Sequence, residues 1–537
     1  MYTDGKIWLA NNDKGEKISI LPKMANRHGL IAGATGTGKT VTVKVLAETF
    51  SDMGVPVFLA DVKGDLASVA APGENTEDMQ ERIRRFGLAE AGFAYQGYPV
   101  TLWDIFGQKG IQLRTTISEI GPMLLSRILG LNDLQSDILS VVFKIADDNG
   151  YFLIDTKDLK AMLNYVNENH KQYEMEYGRI TTASVSAIIR AIVALESEGG
   201  DIFFGEPALQ MHDWLTLGEG GRGMINILDS ESLINNGRLY STFLLWMMAE
   251  LFEAMPEVGD LEKPKMVFFF DEAHLLFNDA SKPLLDKIEQ VVKLIRSKGI
   301  GIYFCTQNPR DIPDGVLAQL GNKIQHGLHA YTPTDQKAVR AAADSFRVNP
   351  EFDTYETLLS LGKGEAVVSF LQEDGTPGMA QKVAVLPPRS RFGTITESER
   401  ASAVQGALLY GKYAAAYDAE SAYEMLARGQ ETYPAQSAAE GTGVGAAPDA
   451  RDEKIKELEA QLAAQQKAEA ERLKELEKQE KKKKKAIKSA GKTVAGSIGR
   501  EFGKTIGGAV GGKTGKTIFG NLGASLGRGF MDVFSRD

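Results

Sequence analysis

With 537 residues, 43% of them apolar and 25% charged, the chain has material for one large core or two ordinary ones and belongs to the globular class. A single cysteine, Cys305, excludes an intrachain disulfide framework, and no stretch approaches the roughly 18 uninterrupted apolar residues of a membrane span. The net charge of −10 is uneven: residues 451–537 hold 20 Lys/Arg against 12 Asp/Glu, so residues 1–450 carry −18, which argues against a whole surface built for phosphate backbones and leaves the tail as the attractor of polyanions. The first residues lack the apolar core of a secretory signal, and together with the cysteine count this predicts a cytoplasmic protein.

Residues 1–28 contain one predicted strand, Lys6–Leu9. An apolar run from Gly29 to Ala32 then leads into Gly33, Ala34, Thr35, Gly36, Thr37, Gly38, Lys39 and Thr40, a complete G-x-x-x-x-G-K-[ST] loop. The glycines let successive N–H groups turn toward a β-phosphate, Lys39 reaches the β- and γ-phosphates, and the Thr40 hydroxyl is a Mg²⁺ ligand. Residues 33–40 with Val41 therefore predict a site for ATP and Mg²⁺. A Gly-rich turn that matches by chance is the bland alternative, and a strand before with a helix after weighs against it. Val41, Val43, Val45 and Leu46 give that helix a buried face.

Val55 to Ala60 forms a second buried strand, ending in Asp61, Lys63 and Asp65. Strands alternating with helices predict a mainly parallel, doubly wound α/β sheet. Residues 108–220 change texture to helical spacing, as in Leu124, Leu125, Ile128 and Leu129, and are expected to form a helical insertion. A strand resumes at residues 223–229, a helix follows from Leu239 to Phe252, and the apolar run Met266 to Phe270 ends in Asp271 and Glu272. Asp271 is predicted to hold the Mg²⁺ shell, and Glu272, one residue on, to accept the proton of an attacking water. Hydrophobic residues before an Asp-Glu pair are common at strand ends, and here it is the loop at 33–40 that gives the pair meaning.

Pro283 to Lys298 predicts an amphipathic helix, and Gly301 to Thr306 a buried strand that packs Cys305 and ends at Gln307, Asn308 and Pro309. Residues 323–329 and 364–371 are expected to be the last strands. Thr396 to Glu399 is a capping box, predicted to open a helix reaching about Arg428 with one break. Residues 434–450 form an Ala/Gly/Ser/Pro linker. Residues 451–486 carry an interrupted heptad (Ile455, Leu458, Leu462, Leu473, Leu476) that predicts a weak coiled coil. In residues 487–537 glycine recurs at 499, 503, 507, 511 and 515, a small-residue stripe suited to self-association or membrane-surface contact, with disorder and a nucleic-acid arm as alternatives. The expected division is 1–107 first core segment, 108–220 insertion, 221–390 second core segment, 391–433 helical extension, 434–450 linker, 451–486 charged helix and 487–537 basic tail.

Taken together, Asn26 to Thr40, Ala60 to Asp65, Phe270 to His274 and Cys305 to Pro309 resemble the HerA/FtsK superfamily of P-loop ATPases, and more closely the bacterial HerA-like helicase C-terminal domain family. The resemblance runs from about residue 3 to about 430 and implies a RecA-like core. It places Lys39 and Thr40 at the Walker A positions, Asp271 and Glu272 at the Walker B positions, and Gln307 at a polar sensor of the γ-phosphate. An amide at the end of a strand neighbouring that of Glu272 is placed to reach the nucleophilic water, although a loop-capping Gln has the same sequence. Ring members use an arginine from a neighbouring subunit; Arg296 is the first candidate here, with Arg310 and Arg340 behind it and a solvated helix-end cation as the alternative for Arg296. Archaeal HerA proteins carry a β-barrel ahead of the core, against 32 residues before Gly33 here, so the barrel's partners are not expected to carry over. The resemblance implies an ATP hydrolase assembling as a homo-oligomeric ring, a hexamer, that translocates on double-stranded DNA. A non-translocating ATPase switch or scaffold recruited through the tail is the rival, and a small-molecule kinase is disfavoured because Glu272 is set up for water.

Overall fold

The computed structural model describes residues 1–233, 237–259, 261–277 and 282–431; the predicted linker, charged helix and Gly-periodic tail lie outside the described residues. Among the described residues, thirteen strands form one sheet. In chain order they are β1 (Tyr2–Thr3), β2 (Lys6–Asn12), β3 (Lys17–Ile20), β4 (Gly29–Ala32), β5 (Val57–Asp61), β6 (Val100–Asp104), β7 (Ile111–Gln112), β8 (Ile225–Asp229), β9 (Met266–Phe270), β10 (Ile300–Thr306), β11 (Asn322–His326), β12 (Glu365–Ser369) and β13 (Gln381–Val385). Across the sheet the order is β1-β2-β13-β12-β11-β4-β10-β9-β5-β8-β6-β7, with β3 paired to β2. From β11 to β7 every pairing is parallel. From β11 outward through β12, β13 and β2 every pairing is antiparallel.

The parallel strands read as continuous apolar runs because both of their faces are covered. Leu30, Phe58, Phe268, Phe270 and Phe304 enter one core, with Leu239, Phe243 and Ile295 from the helices over it. Their alternates Ile31, Leu59, Phe269, Tyr303 and Cys305 enter the other, with Val43, Leu46 and Phe50 of the helix Lys39–Asp52. Register carries aromatic pairs across strands. Tyr303 stands opposite Phe269 with ring centroids 5.1 Å apart, and Phe304 opposite Phe270 at 5.6 Å, both stacked.

Between β7 and β8 the chain folds into helices Ile117–Ile128, Asp133–Asp148, Thr156–Glu168, His170–Tyr177 and Thr182–Ser197 and the single turn Gly200–Phe203. Capping boxes at Thr116/Glu119, Asn132/Gln135 and Asp155/Asp158 start three of them. The structure departs from expectation at both ends of the described chain. Residues 1–28 form three strands rather than one, since the short β1 and β3 gain their partner only from β2. β13, and the edge strands β6 and β7, likewise add to the predicted set.

The helix opened by the Thr396 box stops at Gln405, and two more follow, Tyr410–Tyr413 and Ala422–Glu431. Tertiary hydrogen bonds override the helical pattern there. The Tyr413 hydroxyl bonds Asp213, and Ser421 Oγ donates to Asp158 at 2.5 Å. Asp158 is buried and gathers four donors, with Ile154 N and Asp155 N at 2.9 and 3.0 Å on one oxygen and Ser421 Oγ and Tyr423 N at 2.5 and 2.9 Å on the other. Asp158→Ala should therefore lower the unfolding free energy by about 2–4 kcal/mol, since it strands buried donors of a charged acceptor. Urea unfolding reads this directly, and a loss below about 1 kcal/mol would mean that the terminal helix is held by other contacts.

Candidate functional site

β4 ends at Ala32, and residues 33–38 reverse the chain into the helix Lys39–Asp52. Space as well as backbone conformation selects glycine in this turn. A Cβ on Gly33 would lie 2.5 Å from the Cβ of His326, and one on Gly38, whose φ is 120°, would lie 3.2 Å from the Cα of Gly364. Lys39 is buried, and its ammonium donates to the carbonyls of Gly33 at 2.8 Å and Ala34 at 3.2 Å. The cation thus sits inside the concavity of its own loop. Thr35 and Gly36 are exposed at the tip, and Thr40 and Val41 are half-buried at the start of the helix.

Parallel register brings the other groups to the same edge. Thr306 stands opposite Ala32, and Phe270 opposite both Phe304 and Ala60. Asp271 and Glu272, Gln307, and Asp61 to Lys63 therefore leave the sheet beside the loop at 33–40. Glu272 adopts a left-handed backbone conformation, φ 46°, which costs a non-glycine residue about 1–3 kcal/mol. Its carboxylate is engaged on both oxygens. Lys63 Nζ lies 2.5 Å from Oε1, and Gln307 Nε2 donates to Oε2 at 3.3 Å. Nδ1 of His274 stands 3.4 Å from Oε2. Burial pushes the Glu272 carboxyl up, but Lys63, Gln307 and Lys39 together outweigh it and hold the group below the usual carboxylate range.

Asp271 differs from its neighbour. Burial and then the charge of Glu272 push its carboxyl up, the Cys305 thiol bonds it, and its Oδ2 is buried with no hydrogen-bond partner among the described residues. An orphaned carboxylate oxygen at the sheet edge that carries the phosphate loop fits a divalent cation that takes few protein ligands and leaves the rest to phosphate and water. Cys305 is buried in β10, and burial followed by Asp271 holds its thiol well above the ordinary range, so it is packing and not a nucleophile.

Three contributors carried no site prediction. Asp61 shapes the turn after β5 by accepting from the backbone N–H of Gly64 at 2.8 Å, Leu66 at 2.9 Å, and Lys63 and Ala67 at 3.3 Å. Burial, then Asp65, pushes its carboxyl to about 7. Lys63, presented by that turn, is the partner of Glu272. The signal for both was present in the charged end of the strand at residues 61–65. His326 ends β11 under the loop: Nδ1 donates to the Glu365 carbonyl at 2.8 Å, leaving Nε2 to accept from the Thr42 hydroxyl at 2.9 Å. A histidine in an ordinary strand offers no sequence signal for this.

Arg296 is not part of this cluster. It begins a short turn, Arg296–Lys298, at the amino end of β10, where it adds to the burial that depresses His28. Arg310 lies at the carboxyl edge in the turn after Gln307 and donates to the Lys337 carbonyl at 3.2 Å. The Arg340 guanidinium rests 4.5 Å from the ring of Tyr355.

The family model described as helicase HerA-like C-terminal matches residues 6–515. The DNA double-strand break repair helicase HerA of Sulfolobus acidocaldarius is 23% identical over 358 residues, covering 66% of this chain and 63% of that protein. The protein of the same description from Sulfurisphaera tokodaii is 23% identical over 363 residues, covering 66% and 64%. The chain thus spans slightly under two thirds of the length of these relatives. Among solved structures, the bacterial conjugative coupling protein TrwB aligns with a TM-score of 0.49 and 14% identity over 71% of this chain and 89% of that one.

Burial holds the His326 imidazole down at about 4, with Lys39 adding to the effect. A base whose folded value lies below its unfolded value of about 6.5 charges first in the unfolded chain, so its contribution to stability falls as pH drops from about 6.5 to about 4. The raised carboxyls of Asp61 and Asp271 act in the opposite sense, so the wild-type profile alone does not isolate the imidazole. His326→Asn keeps a donor for the Glu365 carbonyl and removes the titration. The stability difference between the two proteins, from denaturant unfolding at several pH values, should shrink in that window by up to about 3 kcal/mol. A constant difference from pH 7 to pH 4 would remove His326 from this role.

Proposed function

The chain belongs to the helicase HerA-like C-terminal family, and from that premise we propose that it is a Mg²⁺-dependent ATPase that assembles into a ring, a hexamer, and couples hydrolysis to movement along double-stranded DNA. The observation that carries the ATPase assignment is the placement of Glu272, on a left-handed turn at the end of β9, beside the phosphate loop and contacted by Gln307. Lys39 exchanges the carbonyls of Gly33 and Ala34 for the β- and γ-phosphates of ATP, and the loop N–H groups cradle the β-phosphate. Thr40 and the unpartnered Oδ2 of Asp271 would hold Mg²⁺, which when bound supplies neutralisation of charge developing on the phosphate oxygens. Glu272 accepts the proton of the attacking water, and Gln307 orients that water and reports the state of the γ-phosphate.

A ring supplies an arginine to each site from the neighbouring subunit in this reading. Arg296 lies at the amino end of β10, on the edge opposite its own phosphate loop, and Arg310 lies on the same edge as the site. No described helix is long and apolar enough to cross a membrane; the reading places the protein in the cytoplasm, with the tail as a device for self-association or membrane-surface contact. The alternative, a non-translocating switch, draws on the charge of −18 over residues 1–450. Stimulation of hydrolysis by duplex DNA separates the two.

Lys39→Ala should abolish ATP binding in a nucleotide titration; undiminished affinity would remove the phosphate-loop assignment. Glu272→Gln should keep ATP bound while turnover falls by about 10² or more, the loss expected for a positioned general base. Mixing Lys39→Ala subunits with Arg296→Ala subunits, and separately with Arg310→Ala subunits, identifies the arginine that acts in trans. Activity returns in the mixture whose second parent lacks the trans arginine, because some mixed interfaces pair an intact arginine with an intact loop.

A further inference from the structure

The geometry points to Lys63 as a latch that holds Glu272 away from its water and is released when backbone phosphates of a nucleic acid draw the ammonium aside. This inference rests on Glu272 as the general base and on DNA as the substrate. A general base must aim a carboxylate oxygen at the attacking water. Glu272 has committed Oε1 to the Lys63 ammonium at 2.5 Å and Oε2 to the Gln307 amide at 3.3 Å. Gln307 is neutral and can share its contact with a water. The ammonium instead holds Oε1 toward the turn after β5 and so fixes the direction in which the carboxylate points.

The construction of Lys63 suits a group that moves. Its backbone is fixed, because Asp61 accepts from Lys63 N, Gly64 N, Leu66 N and Ala67 N. Its side chain is 42% exposed, whereas that of Glu272 is 5% exposed, so the pair has one arm in solvent and one in the protein. Ion pairs with an exposed arm are individually weak and yield to competing charge. A DNA backbone carries one phosphate charge every ~1.7 Å of helix axis, a density that a single carboxylate does not match. Lys63 also lies outside the phosphate loop, in the turn after β5, so its departure leaves the Lys39 pocket intact.

Steady-state hydrolysis by the full chain, with and without blunt duplex DNA, tests this for wild type, Lys63→Met, Lys63→Arg and Glu272→Gln. Lys63→Met should raise kcat in ATP alone at least about tenfold, a modest share of the 10²–10⁴ that a positioned base supplies, leave KM unchanged, and lose stimulation by duplex. Lys63→Arg should restore the low basal rate and the stimulation. A Lys63→Met variant that binds ATP normally but turns over no faster than wild type, or more slowly, overturns the latch. So does wild type already running at the Lys63→Met rate in ATP alone, because the γ-phosphate would then suffice as the releasing charge. A faster Lys63→Met beside a wild type that duplex does not stimulate overturns nucleic acid as the release. If Glu272→Gln hydrolyses at the wild-type rate, the base assignment itself has failed; if it is inactive while Lys63→Met is unchanged, the base stands and only the latch falls.

Discussion

The parallel register of β4, β10, β9 and β5 is the constraint on which the rest of the structure depends. It puts Ala32 opposite Thr306 and Phe270 opposite both Phe304 and Ala60, so four chain segments with no sequence proximity release their polar ends at one edge. Side chains alternate along a strand, and a slip of one residue in β9 would send Phe269 and Phe270 to each other's faces and carry Asp271 and Glu272 with them. The stacked pairs Phe269–Tyr303 and Phe270–Phe304 oppose such a slip. They also give the strand end the rigidity that a left-handed Glu272 requires. A strained backbone of this kind persists only where its surroundings over-determine it, and here Lys63 and Gln307 hold the side chain while the stacked pairs fix the strand before it.

Acids and lysines are interleaved at that edge, and the carboxyls of Asp61, Asp271 and Glu272 shift according to their surroundings. Asp61 is pushed up to about 7 by burial and Asp65 although four backbone N–H groups bond it, while Glu272 is held low by Lys63 despite being buried. The two adjacent acids of the Asp-Glu pair thus differ in both partner and direction of shift. Lys44, a little further along the helix and buried against Ser68 and the Arg391 carbonyl, has its ammonium depressed by burial and serves a structural role.

Much of this was legible because apolar runs and glycine spacing are local signals. The runs at Gly29–Ala32, Val57–Asp61, Met266–Phe270 and Ile300–Thr306 announce central strands, and the residues that follow each are those at the edge. Lys63 was visible as a charged strand end, but its role depends on Glu272, 209 positions away, and pairing over that distance leaves no periodic trace. His326 was illegible for the same reason. The three helices between Glu397 and Glu431 read as one helix with a single break because their pattern is helical, and what interrupts it further are bonds from Tyr413 and Ser421 to the insertion helices and the turn at Asp213. Arg296 is a candidate by its position just before the strand that ends at Gln307, and that position puts it at the amino end of β10.

The antiparallel half of the sheet has a mechanical connection to the phosphate loop that its edge position conceals. β11 supplies His326, whose ring bonds Thr42 of the helix that begins at Lys39, and the turn entering β12 donates Gly364 N to the Thr37 carbonyl at 2.9 Å. Beyond β13, the chain returns to the same helix: buried Glu48 accepts from Arg389 N at 2.8 Å, Ser390 N at 3.1 Å and Ser390 Oγ at 2.5 Å. The loop is therefore held by β4 on one side and by Gly364 on the other, and the helix that follows it by residues 326 and 389–391. The antiparallel extension of the sheet is thus tied by hydrogen bonds to the phosphate loop and to the helix that follows it.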